Sequence, residues 1–186
     1  FTQEEIREGL KQGFTTGEIA PVFCGSAINN AGVHLLLDAI TKYIPSHIEK
    51  GSMQVEKPEG EGEEVMELKT SPEETFSGLV FKTIIDPFIG KISYIKVLSG
   101  TLKSDSTAYN PEKDKTEKIG QLFTMRGKKQ IDVNQLVAGD IGAVAKLSDT
   151  QTNDTLCDKN NPVILDKVKF PRPMLTMAVE PKSKGD

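Results

Sequence analysis

Past Phe76 the apolar residues recur with a period of two, and this pattern constrains the fold more than any other feature. Phe76 to Ile85 alternates roughly, and Lys91 to Leu98 sets Ile92, Tyr94 and Lys96 against Ile95 and Val97. Such a period puts successive side chains on opposite faces of an extended strand. Turn clusters interrupt the pattern at Asp86-Pro87, Ser99-Gly100, Asn110-Pro111, Ala138-Gly139-Asp140 and Asn160-Asn161-Pro162. Short strands separated by such turns predict a closed antiparallel β-barrel over 75–173, with no helix between 76 and 174.

Ahead of the barrel the spacing is helical. Thr2-Gln3-Glu4-Glu5 has the pattern of a capping box, and Ile6 and Leu10 follow one turn apart. Gly13 and Thr15-Thr16-Gly17 end that helix, and Ile19 to Cys24 reads as a short buried strand with Pro21 near its start. Val33, Leu36, Leu37, Ile40 and Ile44 then fall on one helical face, and Pro45 stops the run. Residues 1–48 thus read as a small α/β fragment that needs something to pack on.

Charge separates the two parts. Residues 49–74 hold nine carboxylates against three cations, with Gly51, Pro58, Gly60, Gly62 and Pro72 among them. That composition reads as an acidic linker, although Val65 to Leu68 has the makings of an edge strand. Residues 75–134 reverse the balance, with ten cations against six carboxylates. Met174 to Glu180 reads as a strand opening a further unit at 174–186. A chain that begins at Phe1 is expected to be a piece of a longer protein.

A net charge of −4 over 186 residues, with no apolar run near the roughly 20 residues that cross a bilayer, places the chain away from membranes. Neither Cys24 nor Cys157 has a CxxC partner or a nearby histidine, so no zinc site or disulfide framework is implied and the cytoplasm is the expected location.

Most candidate chemistry fails on inspection. Asp86-Pro87-Phe88-Ile89-Gly90 fits a DxxG pattern, but Asp-Pro and Gly bracketing two strands make a turn for backbone reasons alone. There is no G-x-x-x-x-G-K-[ST] loop and no Asn-Lys-x-Asp stretch, so this chain by itself is not expected to hydrolyse a nucleotide. His34 and His47 lack partners for catalysis, and Asp86, Asp105 and Asp140, the acid and base candidates of a barrel enzyme, sit in turns with no apolar pocket predicted around them. Tyr94, Tyr109 and Phe123 offer no clear platform for stacking bases. The informative cluster is Arg126-Gly127-Lys128-Lys129-Gln130: three cations in a hairpin loop can meet phosphates, or simply solvate a turn.

Taken together these segments resemble a known family. Phe23-Cys24-Gly25-Ser26-Ala27, Asn30-Ala31-Gly32-Val33 and Leu36-Leu37-Asp38-Ala39-Ile40 look like the closing segment of the GTPase domain of bacterial elongation factor G. Phe81-Lys82-Thr83, Asp86 to Lys91, Ser99 to Leu102, Ala138 to Val144 and Asp154-Thr155-Leu156-Cys157 resemble its second domain. Phe170-Pro171-Arg172-Pro173 and Ala178 to Lys182 look like the passage into its third. The resemblance implies a translation-factor β-barrel preceded by the end of a GTPase domain, with Gly25, Ser26 and Ala27 as part of a guanine site. It further implies GTP with Mg2+ in the parent, none of it held tightly by this chain alone. The partners implied are the remaining domains and small-subunit ribosomal RNA, with Arg126, Lys128 and Lys129 as contact candidates.

Two departures stand out. The common factor has a Met-His-Ala-Asn-Lys-type stretch where this chain has Met125-Arg126-Gly127-Lys128-Lys129, and a glycine where Asn153 precedes Asp154. The first resembles a divergent elongation factor G-like subgroup. Ribosomal translocation is the expected role, with recycling, ribosomal protection or a purely structural barrel as alternatives.

Overall fold

The computed structural model describes residues 1–58, 65–127 and 129–180, and for Lys50 the backbone only. Helix α1 (Gln3–Thr16) starts at the expected capping box: Glu5 N–H donates to Thr2 Oγ1 at 3.3 Å, and Thr2 N–H to Glu5 Oε2 at 2.6 Å. It ends where Gly17 takes φ 75° and its N–H reaches Phe14 O. Helix α2 (Val33–Tyr43) lies against it, with the rings of Phe14 and Tyr43 stacked at 5.9 Å. Ile19 to Cys24, expected as a buried strand, is instead irregular and exposed. A lone strand has no ladder to satisfy its backbone, and no neighbouring strand stands beside it among the described residues. The first 45 residues therefore hold two helices joined by an irregular segment, with one isolated bridge between Ser26 and Ala31.

The acidic stretch is more ordered than its composition indicates. Strands β1 (Ser52–Glu56) and β2 (Val65–Lys69) form an antiparallel pair, with Ser52 opposite Lys69 and Glu56 opposite Val65. Their alternation supplies the reason: Met53, Val55, Met66 and Leu68 make one apolar face, which packs with Cys157, Val163 and Leu165. Residues 59–64 lie outside the described part.

Ten strands follow: β3 (Ser77–Asp86), β4 (Gly90–Ser99), β5 (Thr101–Lys103), β6 (Ser106–Asn110), β7 (Lys115–Ile119), β8 (Leu122–Arg126), β9 (Lys129–Val133), β10 (Gln135–Val137), β11 (Ile141–Ala145) and β12 (Thr155–Cys157). Eight of them form one antiparallel sheet in the order β7-β6-β12-β3-β4-β11-β8-β9, and β5 pairs with β10. The sheet curls on itself, because Val80, Ile95, Leu102, Ile119, Leu136 and Leu156 come from six different strands and share one core. No helix occurs among the described residues of this part. The β4–β5 corner requires glycine: Gly100 has φ 67°, and a Cβ there would lie 2.5 Å from Glu74 O and Phe76 N.

A buried polar network, with partners some 30 to 45 residues apart in sequence, closes one end. The Glu117 carboxylate, 4% exposed, accepts from the N–H groups of Ser148, Asp149 and Thr150 and from the Thr150 hydroxyl, at 2.7 to 3.1 Å. Burial pushes its pKa up, but these four donors outweigh it and hold the carboxyl below its usual range. Asn110 Nδ2 donates to Asp154 Oδ2 at 2.9 Å, and Lys113 Nζ sits 3.4 Å from the same oxygen. Glu112 takes the N–H and hydroxyl of Thr155, tying β12 to the β6–β7 turn.

The helical part meets the barrel at residues 46–51. His47 Nε2–H donates to Leu98 O at 2.8 Å, its carbonyl accepts from the Thr70 hydroxyl, and its Cβ lies 3.1 Å from where a Cβ on Gly139 would stand. Lys11 Nζ reaches Glu49 Oε1 at 2.6 Å, and that hydrogen bond lowers the Glu49 pKa. Met174 to Glu180, expected as a strand, forms none and is exposed, with no strand beside it among the described residues.

Candidate nucleic-acid interface

The cations singled out in the sequence lie at the tip of the β8–β9 hairpin. Arg126 and Lys129 face each other as the last pair of the ladder, Gly127 turns between them with φ 60°, and both cations are exposed. Lys128 lies outside the described residues. Strand register adds neighbours that the sequence alone did not point to. β8 runs beside β11 with Phe123 opposite Ala143, and β11 beside β4 with Ala143 opposite Tyr94 and Ile141 opposite Lys96. Phe123, Ala143 and Tyr94 pack together on the outward face of the sheet. Two residues further toward the tip on the same face are Met125, Ile141 and Lys96, all exposed. Lys82 stands opposite Tyr94 and is exposed as well.

None of Lys82, Lys96, Arg126 and Lys129 is in an ion pair among the described residues, so their charge is available to a partner. A carboxylate close in register is Asp132, opposite Phe123. Compact cations on a rigid ladder, around two exposed apolar side chains, suit phosphates and the sugar edges between them.

The aromatics are committed elsewhere. Phe123 is buried, Tyr94 sits 6.4 Å from the Phe81 ring, and Tyr109 donates its hydroxyl to Asp114 with Lys159 Nζ 6.0 Å from its ring centre. The Asp114 contact raises the Tyr109 pKa. Phe88, 96% exposed, stands at the opposite end of β4. There Asp86 Oδ1 accepts from the N–H groups of Phe88 and Ile89 at 2.9 and 3.0 Å, so the DxxG segment is a turn held by its own aspartate. Asp140 likewise caps Val137 N–H at 2.9 Å, and Asp105 takes φ 54° in the β5–β6 turn. His34 is exposed on α2.

Gly25, Ser26 and Ala27 lie in a tight turn before α2. Ser26 and Ala31 exchange backbone hydrogen bonds at 2.9 and 3.0 Å, and Ser26 Oγ accepts from Asn29 N–H at 3.3 Å. A Cβ on Gly25 would lie 2.8 Å from Ala31 O, so only glycine fits. The turn borders a shallow depression of about 250 Å³ that Phe23, Val33 and Leu36 also line. A small-residue turn of this kind lets a planar ring approach the backbone closely.

A curled antiparallel sheet with one core and a cationic hairpin on its rim defines a β-barrel of the translation-factor kind in fold. Residues 75–159 match the family described as elongation factor G domain 2, and the barrel is an elongation factor G-like second domain. Among solved structures, the chain is similar over its whole length to a protein from Thermus thermophilus, with a TM-score of 0.71 and 22% identity. The chain spans 25% of that protein.

Proposed function

We propose that this chain is a coupling module of a translational GTPase that resembles elongation factor G. The observation that carries the reading is the family match of residues 75–159, which lies on the unit bearing the cationic tip. In this reading Arg126, Lys128 and Lys129 contact phosphates of small-subunit ribosomal RNA, joined by Lys96 on the adjoining strand face. The turn at Gly25, Ser26 and Ala27 supplies part of a guanine site, and the rest of a nucleotide domain covers the exposed side of α2. GTP and its Mg2+ then belong to the parent protein in the cytoplasm, while this chain binds and couples and carries no catalysis of its own. Among the described residues, no helix is long and apolar enough to cross a membrane. Nucleotide state and ribosome contact each favour one rigid-body arrangement of barrel and nucleotide domain, which serves translocation. The Met125-Arg126-Gly127-Lys128-Lys129 stretch, in a position where a Met-His-Ala-Asn-Lys-type stretch is usual, favours recycling or ribosomal protection as the second reading.

Co-sedimentation with purified small ribosomal subunits over a series of salt concentrations tests the contact. Affinity is expected to fall as salt rises, and replacing Arg126, Lys128 and Lys129 together by Ser to flatten the log–log slope by up to about three. An unchanged slope would leave the barrel a structural unit without an RNA contact at this tip.

A further inference from the structure

The chain leaves the barrel along one narrow route. Beyond β12 it passes through buried Val163 and Leu165, and Ile164 exchanges backbone hydrogen bonds with Glu56 at 2.8 and 3.2 Å. From Asp166 to Glu180 every residue is exposed. Among the described residues, two side-chain contacts tie this exposed stretch to the barrel. One contact is weak, Lys167 Nζ at 4.0 Å from Glu112 Oε1. The other is a clasp: Asn153 Nδ2 donates to Val168 O at 2.8 Å, and Val168 N–H donates to Asn153 Oδ1 at 3.1 Å. A side-chain amide that gives to and takes from the backbone of one residue reproduces the pairing of a strand bridge.

The clasp stands on fixed ground. Asn153 has φ 75°, in the left-handed region that asparagine tolerates better than other side chains. Its own N–H donates to Val80 O of β3 at 2.7 Å, and Val80 N–H donates to Asp154 O at 3.0 Å. Asp154 in turn belongs to the buried network through Asn110 Nδ2 and Gln151 N–H.

We propose that Asn153 is the anchor that sets the pivot of the departing segment. With the clasp closed, Val168 is the last residue held and motion begins at Lys169. With it open, the segment is free back to Leu165, which stays buried with its N–H on the Thr155 hydroxyl at 3.1 Å, a shift of three residues in the point about which everything downstream swings. Any pull on the segment arrives first at a residue bonded to β3 and adjacent to the buried network, so the barrel senses and constrains the direction of the chain that follows it. This role goes beyond ribosome binding and does not depend on it.

Asn153→Gly in the full chain provides the test, because glycine accepts φ 75° without strain and deletes the amide alone. Hydrogen exchange read residue by residue should show the Val168 amide protected in the unsubstituted chain. Its exchange should accelerate on the order of tenfold or more in the variant, while Val80 and Ile164 stay as they were. Asn153→Asp, which keeps the acceptor and loses the donor, should retain part of the protection. A Val168 amide that exchanges at the rate of a free peptide in the unsubstituted chain overturns the proposal, as does one equally slow after Asn153→Gly. Equal acceleration of Val80, Ile95 and Val168 would make Asn153 a general stability residue and overturn it too.

Discussion

The barrel and the helical part ahead of it both carry apolar faces written in their spacing, yet only one of them covers its own. In the barrel Val80, Ile95, Val97 and Leu156 are wholly removed from water. On α2 only Ala39 is buried, while Leu35 is 71% and Leu37 53% exposed. The difference lies in closure. A sheet that curls on itself makes each strand the cover of another, whereas a single amphipathic helix states that a face exists and leaves its cover to something else.

That contrast can be broken at several points. Ile95→Ala, which opens a cavity at the centre of the barrel, should cost about 3–4 kcal/mol. Thermal unfolding followed by circular dichroism should show the strand signal melting earlier while the helical signal keeps its midpoint. A common shift of both would mean that the two parts unfold as one unit. Glu117→Gln comes next at about 2 kcal/mol, since it removes the charge and turns one acceptor oxygen into an amide nitrogen that faces the backbone N–H groups buried around Thr150. The same carboxylate gives the barrel an acid limit. Its folded pKa lies below the ordinary 4.5, so its stabilisation is complete above that value and is lost as pH falls through the lowered one. Urea midpoints measured at descending pH should drop below about pH 4.5 in the unsubstituted chain and flatten in Glu117→Gln. Leu35→Lys marks the small end: at so exposed a position the unfolding midpoint should move by no more than about 0.5 kcal/mol. A larger loss would show that α2 has cover within the chain after all.

Much of this was legible in the sequence wherever the signal was local. The capping box at Thr2 and Glu5, the stop at Pro45, the alternation of β3 and β4 and the turn at Asp86 all act within a few residues. What was not legible depends on partners. Ile19 to Cys24 and Met174 to Glu180 have the composition of strands but no ladder beside them among the described residues. Of the β1–β2 pair the second strand was legible at Val65 to Leu68, whereas β1 was obscured by the glutamates around it, because overall composition hid the alternation of Met53 and Val55 that faces Met66 and Leu68. At the candidate interface, Arg126 and Lys129 could be picked out as a charge cluster, whereas Lys96, Met125 and Ile141 join them only through the β4–β11–β8 register. The network around Glu117 was invisible for the same reason: its members meet across the barrel, and nothing in the spacing of an isolated glutamate marks it as an anchor.

One detail gives the two parts separate clocks. Cys24 stands exposed in the turn before α2, and Cys157 is buried in β12, where loss of hydration pushes its thiol up to about 11. Since the thiolate is the reactive form, an alkylating reagent at neutral pH meets Cys24 at once and Cys157 only when β12 leaves the sheet. The delay between the first and second label is then a direct count of how often the barrel opens, with no probe added to the chain.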